Sequence, residues 1–208
     1  VGCSLFDHLI NSLTVVAQNR GVGAALAPIA TLPNGGFVVV WNSAHDGTED
    51  VYAQIYAIDG SPVGGEFRVN TLLTSSQADP VAIGAADGSF TVIWREDSAV
   101  DGSGSAVVAQ KVQPNGTLDG ASFIVNSETI STQDQPEIAS LNNGALIAVW
   151  RTFAENSSTS DVAQTIIDPA AVPAGAMSPV LVGFESAVTL DEQDVNAGSQ
   201  LVDPDGVI

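Results

Sequence analysis

The stretch "GGFVVVWNSAHDGTEDVYAQIYAIDG", residues 35–60, contains two strand-like segments separated by an acidic loop. The first segment is an apolar run that ends on Trp41, and the second begins at Val51 and ends before Asp59-Gly60. Asn-Gly and Asp-Gly pairs favour tight hairpin turns because both residues accept a positive φ. The stretch therefore predicts two antiparallel β-strands joined by a loop rich in carboxylates.

The same arrangement occurs three times along the chain. Apolar runs end on Trp41, Trp94 and Trp150, at spacings of 53 and 56 residues. Around each Trp there is a preceding Pro, a turn with Gly, an acidic loop and an Ala-Gln pair in the following strand. These companions are Pro28, Pro80 and Pro136; Asn34-Gly35, Asp87-Gly88 and Asn143-Gly144; and Ala53-Gln54, Ala109-Gln110 and Ala163-Gln164. Self-similarity at this period, with four short strands in each copy, is typical of the blades of a β-propeller.

A second spacing supports this alignment of the repeats. In three places an Asn precedes a Gln by seven residues: Asn11 and Gln18, Asn70 and Gln77, and Asn126 and Gln133. In two of them the Asn ends a strand of the form "EFRVN" or "SFIVN". The N-terminal segment "LFDHLINS" is therefore predicted to be a further copy of that strand. About seven extra residues between Gln18 and Pro28, rich in Gly and Ala, predict a loop.

The chain is predicted to be all-β, with three four-stranded antiparallel units that resemble propeller blades. Three units are fewer than the four to eight blades of a closed ring. The ring is therefore closed by other blades or by other subunits, or else the units form an open array or a sandwich. The predicted repeat domain covers residues 1–167, with units at about 11–69, 70–125 and 126–167 and a closing strand at 5–12. A linker is predicted at 168–178. The C-terminal β segment at 179–208 either begins a further module or packs on the repeats.

The composition limits the partners. Among 208 residues there are 24 Asp and Glu against 5 Lys and Arg, so the net charge is -19. Such a charge works against binding of nucleic acid or anionic membranes and favours cations. Cys3 is the only cysteine, which excludes an internal disulfide. No apolar run approaches the length of a membrane span. The expected partners are other blades or modules of the polypeptide, or other subunits.

The acidic loops are candidate Ca²⁺ sites, because Ca²⁺ takes six to eight oxygen ligands from flexible loops. A further partial site is "DPDG" near the C terminus. Ca²⁺ is the one cofactor that the sequence indicates. The alternative is that the loops are solvated hairpin ends that protect the sheet edges from aggregation. The candidate ligands are Asp46, Glu49 and Asp50; Glu96, Asp97 and Asp101; Glu155 and Asp161; and Asp203 and Asp205.

Signals for catalysis are weak, and no catalytic residue is predicted. His8 and His45 are the only histidines, and no Gly-x-Ser-x-Gly elbow, zinc cluster or nucleotide loop is present. The three Trp residues are predicted to be core anchors, because each ends a hydrophobic strand. The repeated residues Gln54, Gln110 and Gln164 are predicted to hydrogen-bond a neighbouring loop or to line a shared groove.

The phrases "DGSFTVIW", "VYAQIYAIDG" and "EFRVNT" resemble the Trp-containing repeats of very large bacterial secreted calcium-binding proteins, which are adhesin-like and related to the repeats-in-toxin exporters. The tail "FESAVTLDEQDVNAGSQLVDPDG" is similar to segments that precede cadherin-like modules in those proteins. The resemblance covers about residues 11–205, and the Gly-Gly-x-Gly-x-Asp calcium repeat is absent from the sequence. It implies export and a role at the cell surface or in the matrix.

The sequence thus predicts a non-catalytic repeat scaffold or adhesion module of a secreted or surface bacterial protein, stabilised by Ca²⁺. The first alternative is a lectin-like propeller that binds glycans, since equivalent loops of the units would offer similar sugar sites on one rim. The second alternative is an extracellular hydrolase.

Overall fold

The computed structural model describes residues 18–19, 28–44, 47–73, 75–153 and 159–168. Within these ranges the chain forms twelve β-strands in three antiparallel sheets and no helix. No helix in this part of the chain is therefore long and apolar enough to cross a membrane. The predicted all-β fold and the antiparallel pairing are confirmed.

The three sheets follow one another along the chain and are called units 1, 2 and 3. Unit 1 contains β1 (Gln18–Asn19), β2 (Ile29–Thr31), β3 (Phe37–Ser43), β4 (Asp50–Tyr56) and β5 (Pro62–Arg68). Unit 2 contains β6 (Gln77–Gly84), β7 (Phe90–Glu96), β8 (Ala106–Val112) and β9 (Leu118–Ile124). Unit 3 contains β10 (Gln133–Ser140), β11 (Leu146–Phe153) and β12 (Ser160–Ile167).

Only unit 2 has the predicted four strands in simple form, so the expectation of three four-stranded units is not confirmed. In unit 1 the strands β1 and β2 both pair with β3, because Gln18 lies opposite Ser43 and Ile29 lies opposite Val39. They occupy one strand position, and the insertion predicted from the sequence between them lies outside the described residues. Unit 3 has three strands among the described residues. The predicted closing strand, the linker after residue 168 and the C-terminal segment lie outside the described residues.

The repeated prolines of units 2 and 3 mark an irregularity in the first strand of each unit. The pairing of β6 with β7 shifts register between Ala78 and Val81, and β10 has the same shift around Pro136. Pro80 lies in the bulge of β6, next to Asp79 with φ of 54°. Since Pro has no N–H to donate, it is tolerated where the ladder is already interrupted.

Unit 2 lies between the other two units and buries both of its faces. Successive side chains of a strand point to opposite faces. Accordingly, Val92 and Trp94 of β7 pack in one core with unit 1, whereas Ile93 packs in a second core with unit 3. Trp94 is 1% exposed, and Trp41 and Trp150 are 6% and 3% exposed. The prediction that the three Trp residues anchor the core is confirmed.

Gly84 lies where β6 passes closest to β2 of unit 1. A Cβ atom at this position would be 2.2 Å from the carbonyl oxygen of Thr31, which is a backbone atom and cannot rotate away. We expect Gly84→Ala to lower the free energy of unfolding by about 2 kcal/mol or more, because overpacking forces the two units apart. Urea unfolding followed by tryptophan fluorescence measures the change.

The matched control is Gly65→Ala in β5. No atom lies within 4 Å of a Cβ built at Gly65, and its φ is not in the left-handed region. We expect this variant to stay within about 0.5 kcal/mol of the parent protein. Equal unfolding midpoints for the two variants would contradict the close approach of β2 and β6.

The Asp-Gly turn of unit 2 is stabilised by a carboxylate. Asp87 Oδ1 accepts hydrogen bonds from the N–H and the hydroxyl of Ser89. The side-chain bond from Ser89, followed by the backbone bond, lowers the pKa of Asp87 below its ordinary value of 3.8. Because the folded-state pKa is lowered, this stabilisation is present above the ordinary pKa and is lost as the pH falls through the folded-state value.

We expect Ser89→Ala to raise the pKa of Asp87 towards 3.8, because the largest cause of the shift is removed. The titration of the side-chain carboxyl carbon by NMR measures it. Asp59, whose pKa is lowered in the same way by Ser61, serves as an internal control in the same sample and should not move. An unchanged Asp87 titration would show that the hydroxyl does not hold the carboxylate.

Candidate functional site

A buried asparagine joins unit 1 to unit 2. Asn70 follows β5 and is 2% exposed. Its Oδ1 accepts a hydrogen bond from the N–H of Val51 at 2.8 Å, which holds it to β4. Its Nδ2 donates to Asp50 Oδ1 at 2.6 Å and to Gln77 Oε1 at 2.9 Å. A third bond from Nδ2, to the carbonyl of Leu72 at 2.7 Å, holds the connecting loop.

Gln77 carries the connection into unit 2. Its Nε2 donates to both carboxylate oxygens of Glu96, each at 3.0 Å. Its backbone N–H donates to the carbonyl of Glu49 in unit 1 at 2.7 Å. The side chains of Gln77 and Glu96 are fully buried, and the hydroxyl of Ser75 also donates to Glu96. A buried carboxylate is tolerated here because donors surround it.

The junction between units 2 and 3 repeats this arrangement. Asn126 Oδ1 accepts from the N–H of Val107 at 2.8 Å. Its Nδ2 donates to Asp101 Oδ2 at 2.7 Å and to Gln133 Oε1 at 3.4 Å. The seven-residue spacing therefore has a physical cause: the Asn ends one unit, the Gln begins the next, and their side chains meet across the loop. We call each of these two arrangements an Asn–Gln junction.

The repeated glutamines lie in the strand that follows the Trp-containing strand of each unit, which we call the third strand (β4, β8 and β12). Those of units 1 and 2 form hydrogen bonds within their own units. Gln54 Nε2 donates to the carbonyls of Ile55 at 2.8 Å and Val63 at 3.3 Å, where β4 and β5 shift register. Gln110 makes the corresponding bonds in unit 2. These two residues make buried hydrogen bonds, but to carbonyls of their own sheet where the ladder is interrupted and not to a neighbouring loop as predicted.

Gln164 does not occupy the equivalent position, so the alignment of Ala163-Gln164 with the other Ala-Gln pairs is wrong by one residue. Trp41 lies opposite the residue that precedes the Ala-Gln pair of unit 1, whereas Trp150 lies opposite Ala163 itself. A shift of one residue turns a strand side chain to the other face. Gln164 is accordingly exposed, and Thr165 takes the buried position.

Three of the predicted calcium ligands are used in hydrogen bonds to buried amides. Asp50 and Asp101 accept from Asn70 and Asn126, and Glu96 accepts from Gln77, as described above. The other described candidates are Glu49, which is partly buried, Asp97, whose Oδ1 lies 2.9 Å from Arg95 Nε, and Asp161, which is exposed. Asp46, Glu155, Asp203 and Asp205 lie outside the described residues. Within the described ranges no group of three or more His, Cys, Asp or Glu residues is placed to hold a metal ion.

Two buried oxygens at the end of the β3–β4 hairpin are without a hydrogen-bond partner in the described part of the chain. They are Ser43 Oγ and Asp50 Oδ2, on residues that lie directly opposite each other. Both residues are buried, at 2% and 1% exposure. The nearest cation is Arg68, whose Nη1 is 3.8 Å from Asp50 Oδ2. Such oxygens are costly to bury unless water or a cation reaches them.

A shallow depression of about 230 Å³ lies on the outer face of unit 3. Val149, Arg151, Asp161 and Val162 contribute to its lining together with Trp150. Because Trp150 is only 3% exposed, its ring face is not available for stacking on a sugar. The depression is therefore a weak candidate for a ligand site.

The chain has structural likenesses among solved proteins but no match among family models or curated proteins. Among solved structures, the crystal structure of an endo-arabinase from Bacteroides thetaiotaomicron VPI-5482 is similar, with a TM-score of 0.42 and 18% sequence identity. The match covers 64% of this chain and 52% of that chain, so this protein spans about half the length of the arabinase.

We expect Asn70→Ala to lower the free energy of unfolding by about 2–4 kcal/mol, because the change leaves several buried polar groups without partners. Urea unfolding measures the loss. The control is Asn115→Ala, which removes a single bond at 3.0 Å from the N–H of Thr117 in an exposed turn. The control should lose less than about 1 kcal/mol. Equal losses would mean that the junction does not hold the units together.

Proposed function

We propose that the protein is a non-catalytic β-repeat scaffold or adhesion module of a secreted or surface bacterial protein, with its units arranged like blades of a β-propeller. The observation that carries this proposal is the repeated Asn–Gln junction. The buried polar side chains of these junctions hydrogen-bond to one another and join consecutive units, so they are not free to act on a substrate. The resemblance to Trp-containing repeats of secreted bacterial proteins supports the same assignment.

The arrangement of the cores also favours a scaffold. Two of the three core clusters among the described residues lie between units, since one combines residues of units 1 and 2 and another combines residues of units 2 and 3, whereas the cluster around Trp41 lies within unit 1. A unit of this kind cannot bury its apolar faces alone, so stability depends on its neighbours, as in other repeat proteins. Mutual dependence of this kind suits a structural role.

The lectin alternative ranks below the scaffold because the candidate sugar-stacking rings are occupied. Tyr52 stacks on Trp41 with ring centroids 6.3 Å apart, and Tyr56 stacks on Phe37 at 4.9 Å. Both tyrosines are 8% exposed. A glycan array followed by calorimetry on any hit tests this alternative, and we expect no specific binding.

The scaffold proposal is tested by asking whether the units unfold together. Each unit has one Trp, so three variants that keep a single Trp and carry Phe at the other two positions report on the units separately. We expect coincident urea transitions for Trp41, Trp94 and Trp150, because the shared cores couple the units. Well-separated midpoints, or hydrolysis of a polysaccharide or ester that is lost on changing one carboxylate, would contradict the proposal.

We further propose that Ca²⁺ stabilises the folded protein at the end of the β3–β4 hairpin, where Ser43 Oγ and Asp50 Oδ2 are buried and have no hydrogen-bond partner among the described residues, and where Arg68 Nη1 lies 3.8 Å from Asp50 Oδ2. At a hundredfold excess over its Kd, a ligand that binds only the folded state adds about 2.7 kcal/mol. We expect millimolar Ca²⁺ to raise the Tm more than NaCl of equal ionic strength, since monovalent salt only screens the charge.

Ser43→Ala should reduce the Ca²⁺-dependent shift in Tm, because it removes one of the two oxygens and leaves the bond between Asp50 and Asn70 intact. Asp97→Asn, in the loop of unit 2, is the matched control and should leave the shift unchanged. If Ca²⁺ and NaCl shift the Tm equally, the acidic loops are solvated hairpin ends.

A further inference from the structure

Five hairpin turns in the described part of the chain have the same form, and three of them contain an Asn-Gly pair. The three pairs are Asn34-Gly35, Asn115-Gly116 and Asn143-Gly144, and the other two turns contain Asp-Gly. The three asparagines are exposed, and their glycines have φ of 83°, 85° and 87°. Because Gly has no side chain, its backbone nitrogen is the least obstructed nucleophile that can follow an Asn.

The chemistry open to such a pair is intramolecular deamidation, which needs only water. The Gly nitrogen loses its proton and bonds to Cγ of the Asn, the Cγ–Nδ2 bond breaks, and ammonia leaves with that proton. The product is a cyclic succinimide. Water then cleaves one of the two ring C–N bonds, and the cleaved bond decides the product: aspartate if it is the bond to Cγ, isoaspartate if it is the bond to the main-chain carbonyl carbon.

Hydrogen bonds hold the two reacting groups in place within each turn. In unit 3 the N–H of Gly144 donates to the carbonyl of Leu141 at 3.0 Å. The N–H of Ala145 donates to Asn143 Oδ1 at 3.1 Å. The corresponding distances in the other two Asn-Gly turns are 2.9 and 3.0 Å. The nitrogen and the side-chain carbon meet only when the turn opens, so the rate follows the free energy of local opening.

Side chains from elsewhere in the chain cover two of the three turns. A Cβ built at Gly35 would be 2.7 Å from Cδ1 of Ile58. A Cβ built at Gly116 would be 3.1 Å from the ring of Phe67, which belongs to unit 1. Opening of either turn disturbs these contacts.

The turn of Asn143 is less restrained. In the described part of the chain no atom lies within 4 Å of a Cβ built at Gly144. Pro33 and Pro114 precede the other two asparagines, whereas Asn142 stands at this place in unit 3. Since Pro fixes φ at the first central position of a turn, it limits the conformations that the open turn can reach.

We propose that Asn143 is a site of spontaneous deamidation, which converts it to aspartate and isoaspartate faster than Asn34 or Asn115. The reaction adds a negative charge to a chain whose net charge is already -19. This inference goes beyond the scaffold function and does not depend on it.

The two products differ in their effect on the hairpin of β10 and β11. Aspartate fits the turn, because Asp59 and Asp87 accept the same bond from the N–H two residues later, each at 2.9 Å. Isoaspartate adds the Cβ carbon to the main chain. The bond from the N–H of Leu141 to the carbonyl of Ala145, at 2.8 Å, then loses its register and the hairpin is weakened.

Incubation of the unmodified full chain at mildly alkaline pH, followed by peptide mass spectrometry, tests the proposal. Cleavage after Glu49 and Glu128 places the three asparagines on separate peptides. We expect Asn143 to convert about tenfold faster than the other two, which corresponds to about 1.4 kcal/mol in the free energy of turn opening. Equal rates for the three asparagines, or no conversion of Asn143, would overturn the proposal.

The variant Ile58→Ala tests whether packing sets the rates. Ile58 is 77% exposed, so its truncation leaves the core intact. We expect Asn34 to convert several times faster in this variant, because its turn loses its cover, while Asn143 in the same sample keeps its rate. An unchanged rate at Asn34 would contradict the role of packing and overturn the ranking.

Incubation in urea separates the effect of the fold from that of the neighbouring sequence. We expect the three rates to converge in the unfolded chain, since no turn then holds its reacting groups apart. A tenfold advantage of Asn143 that persists in urea would overturn the proposal, because neighbouring residues and not the turn would cause it. Asn143→Gln is the control for the assignment and should abolish the mass change on its peptide, since the longer side chain must close a larger ring.

Discussion

The fold depends on the satisfaction of backbone groups at the points where one sheet ends and the next begins. A chain that leaves a four-stranded sheet must cross to a new one, and the crossing buries amides that no ladder can pair. Asn70 and Asn126 solve this problem with one side chain each, because an amide offers both an acceptor and two donors. The acceptor holds the third strand, and the donors hold the loop and the first residue of the next unit. These polar contacts add to the apolar cores that consecutive units share.

The buried carboxylates follow from the same constraint. Asp50, Asp101 and Glu96 lie at the ends of hairpins and accept hydrogen bonds from the junction amides. Their negative charges are kept close to donors, so the chain tolerates acidic residues inside a protein whose net charge is already -19. Three of the acidic residues that the sequence indicates as metal ligands therefore have a structural role, because they accept hydrogen bonds from buried amides. Ser43 Oγ and Asp50 Oδ2 are the exceptions in this region, because they are buried and have no hydrogen-bond partner among the described residues.

Burial of both faces makes each unit dependent on its neighbours. Unit 2 is apolar on either side of β7 and fills two cores, whereas the outer side of unit 3 combines half-buried apolar residues with Gln164 and Arg151. In the described part of the chain, unit 3 thus differs from unit 2, which is apolar and buried on both faces.

The sequence by itself determined the β class, the three repeats, the burial of the Trp residues and the equivalence of the Asn–Gln pairs, because each of these depends on local alternation or on a spacing that a short loop imposes. It did not determine the register of β12, where Ala163 itself pairs with Trp150, so that Gln164 lies one residue out of step with Gln54 and Gln110 and is exposed. It also could not show that Asp50, Glu96 and Asp101 face buried amides instead of converging on an ion. Those outcomes depend on which strands lie side by side, and only the tertiary structure decides that, since residues about 20 positions apart meet through pairing and not through sequence proximity.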